Sequence, residues 1–186
     1  MRYLIDNFAL VAQLFGEHLR LTAIALAIAL AIALPAGVLA ARVRWLRGPL
    51  LGVLGVIYTI PSLSLLVLLI PFMGIGLRPA IVALVAYAQL VLVRNIVVGL
   101  VGVDPAIVEA ARGMGMSSWQ RFSRVELPLA LPLILAGVRL ATLSIIGIGA
   151  VAFLVGAGGL GKLLFEGVTT SNPQKIVAGS VAVAAL

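Results

Sequence analysis

The stretch that decides the fold is Leu21–Ala41, LTAIALAIALAIALPAGVLAA, which contains no charged residue. As an α-helix these 21 residues rise about 32 Å, enough to cross a hydrocarbon core of roughly 30 Å. Apolar residues alternate here only with other apolar residues, so no polar face favours a half-buried strand. The stretch therefore predicts a membrane-spanning helix, with a kink near Pro35.

Other apolar runs follow along the rest of the chain. They cover 49–70, 80–101, 127–155 and 174–186, and the last is too short to span a bilayer. We predict an all-α, polytopic membrane bundle in a single domain, 1–186, with about five transmembrane helices, the fifth incomplete. Phe8–Phe15 is mildly amphipathic and predicts a separate, short interfacial helix.

Composition excludes several classes of protein. The chain is 63% apolar and 10% charged, against roughly 45–50% and about 25% for a soluble domain, so neither a soluble nor a disordered domain fits. The net charge of +7 is not gathered in one patch, which argues against nucleic acid as a partner. There is no cysteine and only one histidine, His18. We therefore predict no catalytic residue, no metal site and no enzymatic activity.

The orientation follows from arginines next to the first span. Arg42, Arg44 and Arg47 come directly after it, and such clusters mark the cytoplasmic side. We therefore expect the N-terminus outside and segment 104–126 in the cytoplasm, although the two sides differ by only one basic residue in total.

Segment 104–126 is the only sustained polar stretch, and its residues predict two short helices. Asp104-Pro105 is typical of a helix start, and Gly113 of a helix end in the left-handed conformation. Ser117 and Gln120 have capping-box spacing, and Leu127-Pro128 leads into the fourth run. Taken alone, these residues fit either an amphipathic hairpin on the membrane surface, with arginines near anionic lipid headgroups, or a docking element for a partner protein.

A family resemblance rests on this same segment. Glu109-Ala110-Ala111, then Gly113, then Glu126-Leu127-Pro128 resembles the EAA loop of bacterial ATP-binding cassette (ABC) importer permeases. The segments TIPSLSLL at 59–66 and GAGGLG at 156–161 are similar to the permeases of glycine betaine, carnitine and choline uptake systems.

The resemblance implies a type I importer permease that forms the translocation path in a bacterial or archaeal cell (inner) membrane. ATP and Mg would be bound by separate ATPase subunits, in agreement with the lack of a G-x-x-x-x-G-K-[ST] phosphate loop in this sequence. A second permease chain, identical or different, and a substrate-binding protein or domain would complete the transporter. The residues expected at the ATPase joint are Glu109, Ala110, Ala111, Gly113, Leu127 and Pro128.

Candidate path residues surround Pro61, which breaks its helix and frees a carbonyl near Ile57. Irregular backbone at membrane depth is tolerated where it is buried or lines a wet cavity, although Pro61 alone could also be a kink that serves packing. Gln89 and Asn95 either face the path or hold helices together. The full set of candidates is Tyr58, Thr59, Pro61, Ser62, Ser64, Gln89 and Asn95.

Three other features have two interpretations each. Arg94 either lines the path or has a plainer role, snorkelling to the interface or pairing with a carbonyl. Arg139 likewise either lines the path or pairs with Glu126 or with helix-end carbonyls. The Gly156–Gly161 connector is a docking or gating loop, or a plain flexible turn. For the whole chain, the alternatives to an osmoprotectant permease are a permease for methionine or another amino acid, and a membrane scaffold that transports nothing.

Overall fold

The structure is a computed structural model that describes residue 3 and residues 6–186, and all regular secondary structure in these residues is helical. The long helices are α1 (Phe8–Arg42), α2 (Arg44–Thr59), α3 (Ser62–Met73), α4 (Leu77–Val101) and α7 (Leu127–Val151). Between α4 and α7 lie α5 (Pro105–Gly113), α6 (Ser118–Arg121) and one π-helical turn, Phe122–Glu126. A 3-10 turn (Ala152–Val155), α8 (Gly161–Thr169) and α9 (Pro173–Ala184) complete the fold. The prediction of an all-α, polytopic bundle is confirmed.

Three helical stretches are long and apolar enough to cross a membrane. They are Phe8–Arg42, Leu77–Val101 and the continuous Ser118–Val155. The bent pair α2–α3 makes a fourth if its two helices form one span. The incomplete fifth span at 174–186 stays a prediction, since α9 has only 12 residues.

The separate interfacial helix expected at Phe8–Phe15 is wrong. These residues are the first turns of α1, which runs unbroken for 35 residues. The helix continues because Leu14, His18 and Leu21 form one buried stripe across the expected boundary. At about 1.5 Å per residue, α1 is roughly 52 Å long and extends well beyond a hydrocarbon core of about 30 Å.

The bundle core lies between α1, α4 and α7, where small residues let the helices approach closely. In the repeated AIAL stretch, Ala25, Ala29 and Ala33 are fully buried, whereas Ile28 and Ile32 face outward. The alanine side of α1 is therefore its packing face. A side chain at Gly137 of α7 would collide with Asn95 of α4, since a Cβ there would lie 2.5 Å from the Asn95 Cβ.

The run 49–70 is not a continuous helix. Helices α2 and α3 meet at 94°, and the residues between them, Ile60 and Pro61, have extended backbone with ψ of 129° and 134°. The predicted break at Pro61 is confirmed. No residue of α2 is fully buried, so this helix lies on the outside of the described chain.

Candidate functional site

The polar residues Asp104–Glu126, called the coupling segment below, form a compact unit at one end of the bundle. Its first helix, α5, begins as the sequence predicts. The Asp104 carboxylate accepts a hydrogen bond from the backbone N–H of Ala106 at 2.8 Å, and Pro105 occupies the first helical turn. This cap fixes the direction in which α5 leaves α4.

The end of α5 differs from the prediction. The helix ends at Gly113, but the left-handed residue is Gly115, with φ of 79°. The chain then turns back, and the N–H of Met116 donates to the carbonyl of Ala111 at 3.2 Å. Gly113 is thus free of a backbone role that requires glycine, and a Cβ built on it would meet no atom within 4 Å.

The EAA residues divide between two faces of α5. Glu109, Ala110 and Gly113 are exposed, whereas Ala111 is buried against the rest of the chain. Ala111, one of the residues expected at the ATPase joint, therefore has its methyl group packed inside its own chain. The exposed Glu109, Ala110 and Gly113 combine one carboxylate with two small residues, on which another protein can pack closely.

The second helix of the coupling segment is shorter than expected. Its capping box is confirmed: the Ser117 N–H donates to the Gln120 side-chain oxygen at 2.9 Å, and the Gln120 N–H donates to the Ser117 hydroxyl at 3.3 Å. Only Ser118–Arg121 is α-helical before the π-helical turn leads into α7. At the start of α7, Leu127 is half-buried and Pro128 is exposed.

Glu126 is the buried centre of this end of the bundle. Its carboxylate forms ion pairs with Arg42, the last residue of α1, and with Arg121 at 3.3 Å. The Arg42 guanidinium also lies 5.4 Å from the centroid of the Phe122 ring. The expected pair between Arg139 and Glu126 is wrong: Arg139 lies on an exposed stripe of α7.

Sequence reasoning missed the Arg42–Glu126 pair, although a signal for it was present. Glu126 is the one acid that directly adjoins a long apolar run, and a carboxylate at such a position needs a cationic partner. The predicted orientation also places both residues on the same side of the membrane.

Arg47, from the same arginine cluster, caps the end of α1. Its guanidinium donates hydrogen bonds to the carbonyls of Ala40 and Ala41.

A second group of predicted residues lies where α2 meets α3. Tyr58, Thr59, Pro61 and Ser64 are exposed there, and Ser62 is half-buried. The Tyr58 ring contacts that of Tyr87 on α4 in a T-shaped arrangement, with centroids 5.7 Å apart. The structure thus brings five of the seven predicted path residues to one surface.

The carbonyl available at this break is that of Ile60, not that of Ile57. Ile57 accepts a hydrogen bond from the N–H of Ile60 at 3.2 Å, while the Tyr87 hydroxyl donates to the Ile60 carbonyl. The Thr59 hydroxyl is also occupied, since it donates to the Val56 carbonyl at 2.7 Å. Side chains of α2 and α4 therefore satisfy backbone carbonyls at the break.

Gln89 and Asn95 lie apart from that surface. The Gln89 amide is buried and donates to the Ala29 carbonyl of α1 at 3.2 Å, so it ties two helices together. The Asn95 amide donates to the Val91 carbonyl of its own helix at 2.8 Å, and the side chain packs against Gly137. Of the two roles that the sequence left open, helix association fits both residues better.

The Gly156–Gly161 connector is a well-defined loop at the opposite end of α7. Gly156, Gly158 and Gly159 have φ near 80°, a region that favours glycine. The Gly159 N–H donates to the Glu17 carboxylate at 3.1 Å, and the Val155 carbonyl accepts from the Gly76 N–H at 2.8 Å. A cavity of about 240 Å³ lies beside it, lined in part by Glu17, Arg20 and Leu77.

Among residue 3 and residues 6–186, there is no group of three or more histidine, aspartate and glutamate side chains that could hold a metal ion. The arrangement at the coupling segment offers ion pairing and protein contact, and both are suited to mechanical connection between two proteins.

Curated relatives match the whole chain. The osmoprotectant import permease protein OsmW of Salmonella typhimurium is 41% identical over all of this chain and 89% of its own length. The glycine betaine/carnitine/choline transport system permease protein OpuCB of Bacillus subtilis is 38% identical over all of this chain and 86% of its own length.

A solved structure extends the comparison to the fold. A chain of the MetNI methionine ABC transporter, in an inward-facing conformation, superposes with a TM-score of 0.85 at 28% identity. The match covers 95% of this chain and 89% of that one. The predicted resemblance to ABC importer permeases is therefore confirmed.

Residues 33–186 match the family described as binding-protein-dependent transport system inner membrane component. Because this match covers most of the sequence, and the relatives match its full length at well over 30% identity, the chain belongs to that family of membrane transport components.

Proposed function

We propose that this chain is the transmembrane permease subunit of an ABC importer for osmoprotectants, small quaternary ammonium compounds such as glycine betaine, carnitine and choline. The substrate class is inferred from the names of the relatives, which are osmoprotectant, carnitine and choline permeases. The coupling segment is the observation that supports connection to an ATPase. It exposes Glu109, Ala110 and Gly113 to a partner. It is also tied to α1 by an ion pair and continues directly into α7.

The chain itself would contribute no ATP chemistry. Two ATPase subunits, which bind ATP and Mg, would receive the coupling segments of two permease chains on the cytoplasmic side. The N-terminus and the Gly156–Gly161 loop would then face outside, where a substrate-binding protein or domain delivers its cargo. ATP-driven closure of the ATPase subunits would tilt the permease helices and alternate access to the path.

The break between α2 and α3 is the proposed place where substrate passes. It exposes the Tyr58 ring and the hydroxyl of Ser64, and a quaternary ammonium ion is attracted to an aromatic face. Strong binding at this point is not required, because a separate binding protein would select the substrate. A weak site also allows the substrate to leave on the other side.

Reconstitution tests the proposal directly. The chain would be placed in proteoliposomes with its ATPase subunits and its binding protein, and uptake of radiolabelled glycine betaine, carnitine, choline and methionine would be measured. We expect ATP-dependent uptake of at least one quaternary ammonium compound and none of methionine. Uptake of methionine alone would favour the amino-acid importer, an alternative suggested by the likeness to MetNI. Failure to co-purify with any ATPase in mild detergent would favour the scaffold.

A further inference from the structure

The ion pairs around Glu126 join three separate parts of the chain. Arg42 ends α1, Arg121 ends α6, and Glu126 ends the π-helical turn that leads into α7. The Glu126 side chain is only 6% exposed, whereas the Arg42 side chain is 46% exposed and that of Arg121 is 13% exposed. A buried carboxylate is costly unless it is paired, so Glu126 holds both arginines in place.

The two arginines link the Glu126 carboxylate to different parts of the chain. Arg121 lies five residues from Glu126, so their pair stays within the coupling segment. Arg42 lies 84 residues away, so its pair is a tertiary contact that ties the coupling segment to α1. Without Arg42, the segment would still reach α7 through continuous helix, but it would lose this polar link to α1.

The local backbone suits a part that moves. A π-helical turn carries an extra residue within a helix and is common at functional sites. Here it separates α6 from α7 at Glu126, so the coupling segment can change its angle to α7 without a break in the chain. A contact outside the turn is then needed if α1 is to follow the same movement.

Helix α1 passes any movement to α4. The Gln89 amide binds the Ala29 carbonyl, and Gly37 lies so close to Ile96 that a Cβ there would be 2.7 Å from the Ile96 side chain. Close-packed surfaces of this kind transmit strain.

We propose that the Arg42–Glu126 ion pair is the contact through which the coupling segment moves α1, so that Arg42 is a positioning residue for energy coupling. This inference rests on the proposed function as an ABC importer permease. If Arg42 only stabilised the fold, its loss and the loss of Arg121 should have similar effects on coupling. If Arg42 passes movement to α1, its loss should uncouple transport, whereas loss of Arg121 should leave coupling intact.

Three variants separate the two roles. Arg42→Gln cuts the link to α1 but leaves Glu126 paired with Arg121, and Arg121→Gln does the reverse. Glu166→Gln is the matched control, because it removes a carboxylate that also pairs with two cations, Lys175 at 2.9 Å and Lys162 at 3.9 Å, far along the chain from the coupling segment. Each variant would be reconstituted with its partner subunits, and ATP hydrolysed per substrate imported would be measured along with the thermal midpoint in detergent.

We expect Arg42→Gln to raise the ATP consumed per substrate by at least about fivefold, the lower end of typical coupling effects. Arg42→Lys should restore much of the wild-type ratio, since it restores the charge. Arg121→Gln and Glu166→Gln should keep the ratio within about twofold of wild type, a limit well below that same range of coupling effects. Equal ratios for Arg42→Gln and Arg121→Gln, or a loss for Arg42→Gln that follows the thermal midpoint alone, would overturn the inference.

The wild-type measurement keeps this test distinct from that of the proposed function. If the wild-type complex hydrolyses ATP and imports substrate, only the ion-pair inference is at risk from the variants. If the wild-type chain binds no ATPase subunit, the proposed function is wrong and the inference is overturned with it.

Discussion

Gly113 is a residue whose lack of a side chain is not explained by the fold of its own chain. It ends α5 with an ordinary backbone conformation, and a side chain there would meet nothing in its own chain. Its lack of a side chain therefore benefits whatever packs on α5 from outside. The fold itself does not require glycine at this position.

Gly113→Arg should weaken coupling strongly while the permease folds normally. The arginine would enter the space in which a partner packs, so we expect at least about a tenfold fall in uptake, the effect of about 1.4 kcal/mol. The thermal midpoint in detergent should stay at the wild-type value. Gly16→Arg is the control, since Gly16 is also exposed with open space around it, but lies near the start of α1. Wild-type uptake by Gly113→Arg would contradict the assignment of this surface to the ATPase.

At the scale of elements, α4 packs closely on α7 because Gly137 of α7 has no side chain. Gly137 faces Asn95 across this contact, whereas a Cβ atom added to Gly147 on the same helix would have no atom within 4 Å. The two glycines thus share a helix and differ in what surrounds them.

Gly137→Ala should destabilise the protein and Gly147→Ala should not. The new methyl group at position 137 would force α4 and α7 apart, at a cost of about 1–3 kcal/mol for overpacking. At position 147 alanine gains helix propensity of up to about 1 kcal/mol. Thermal unfolding of the two variants in the same detergent measures the difference. A lower midpoint for Gly147→Ala than for Gly137→Ala would contradict this account of the contact.

Elements were more predictable from the sequence than contacts. Apolar runs marked each long helix because a bilayer demands them, and the caps at Asp104 and Ser117 act through neighbours only a few residues away. The single helix through Phe8–Phe15 was missed because burial of Leu14 and His18 overrode a local polar pattern. The place of Glu126 beside an apolar run indicates a need for a cationic partner, but no local pattern identifies Arg42, which lies 84 residues away.

At the scale of the whole molecule, the candidate path lies on an outer surface of the single chain. Tyr58, Ser64 and Phe72 are exposed along α2 and α3, together with many aliphatic side chains. Under the proposed function, a second permease chain would face this surface and enclose a passage between the two.

The sequence has no cysteine, so a cysteine introduced at one position is the only thiol in this sequence, and labelling is read from this chain alone. In the assembled transporter, Ser64→Cys should react with a small, charged maleimide, because the passage contains water. Added substrate should slow that reaction. Ala88→Cys, in the fully buried core, is the control and should stay unmodified. A Ser64→Cys chain that is as inert as the Ala88→Cys chain would argue against a path at the break.

The complete lack of buried residues in α2 has a consequence for biogenesis. Helices α1, α4 and α7 bury their own small residues, so a newly inserted chain can mature as far as that three-helix core alone. Helix α2 depends on half-buried contacts until a neighbour covers it, and weakly packed segments open most easily. In an unassembled subunit α2 would therefore open locally more easily than α1, α4 and α7.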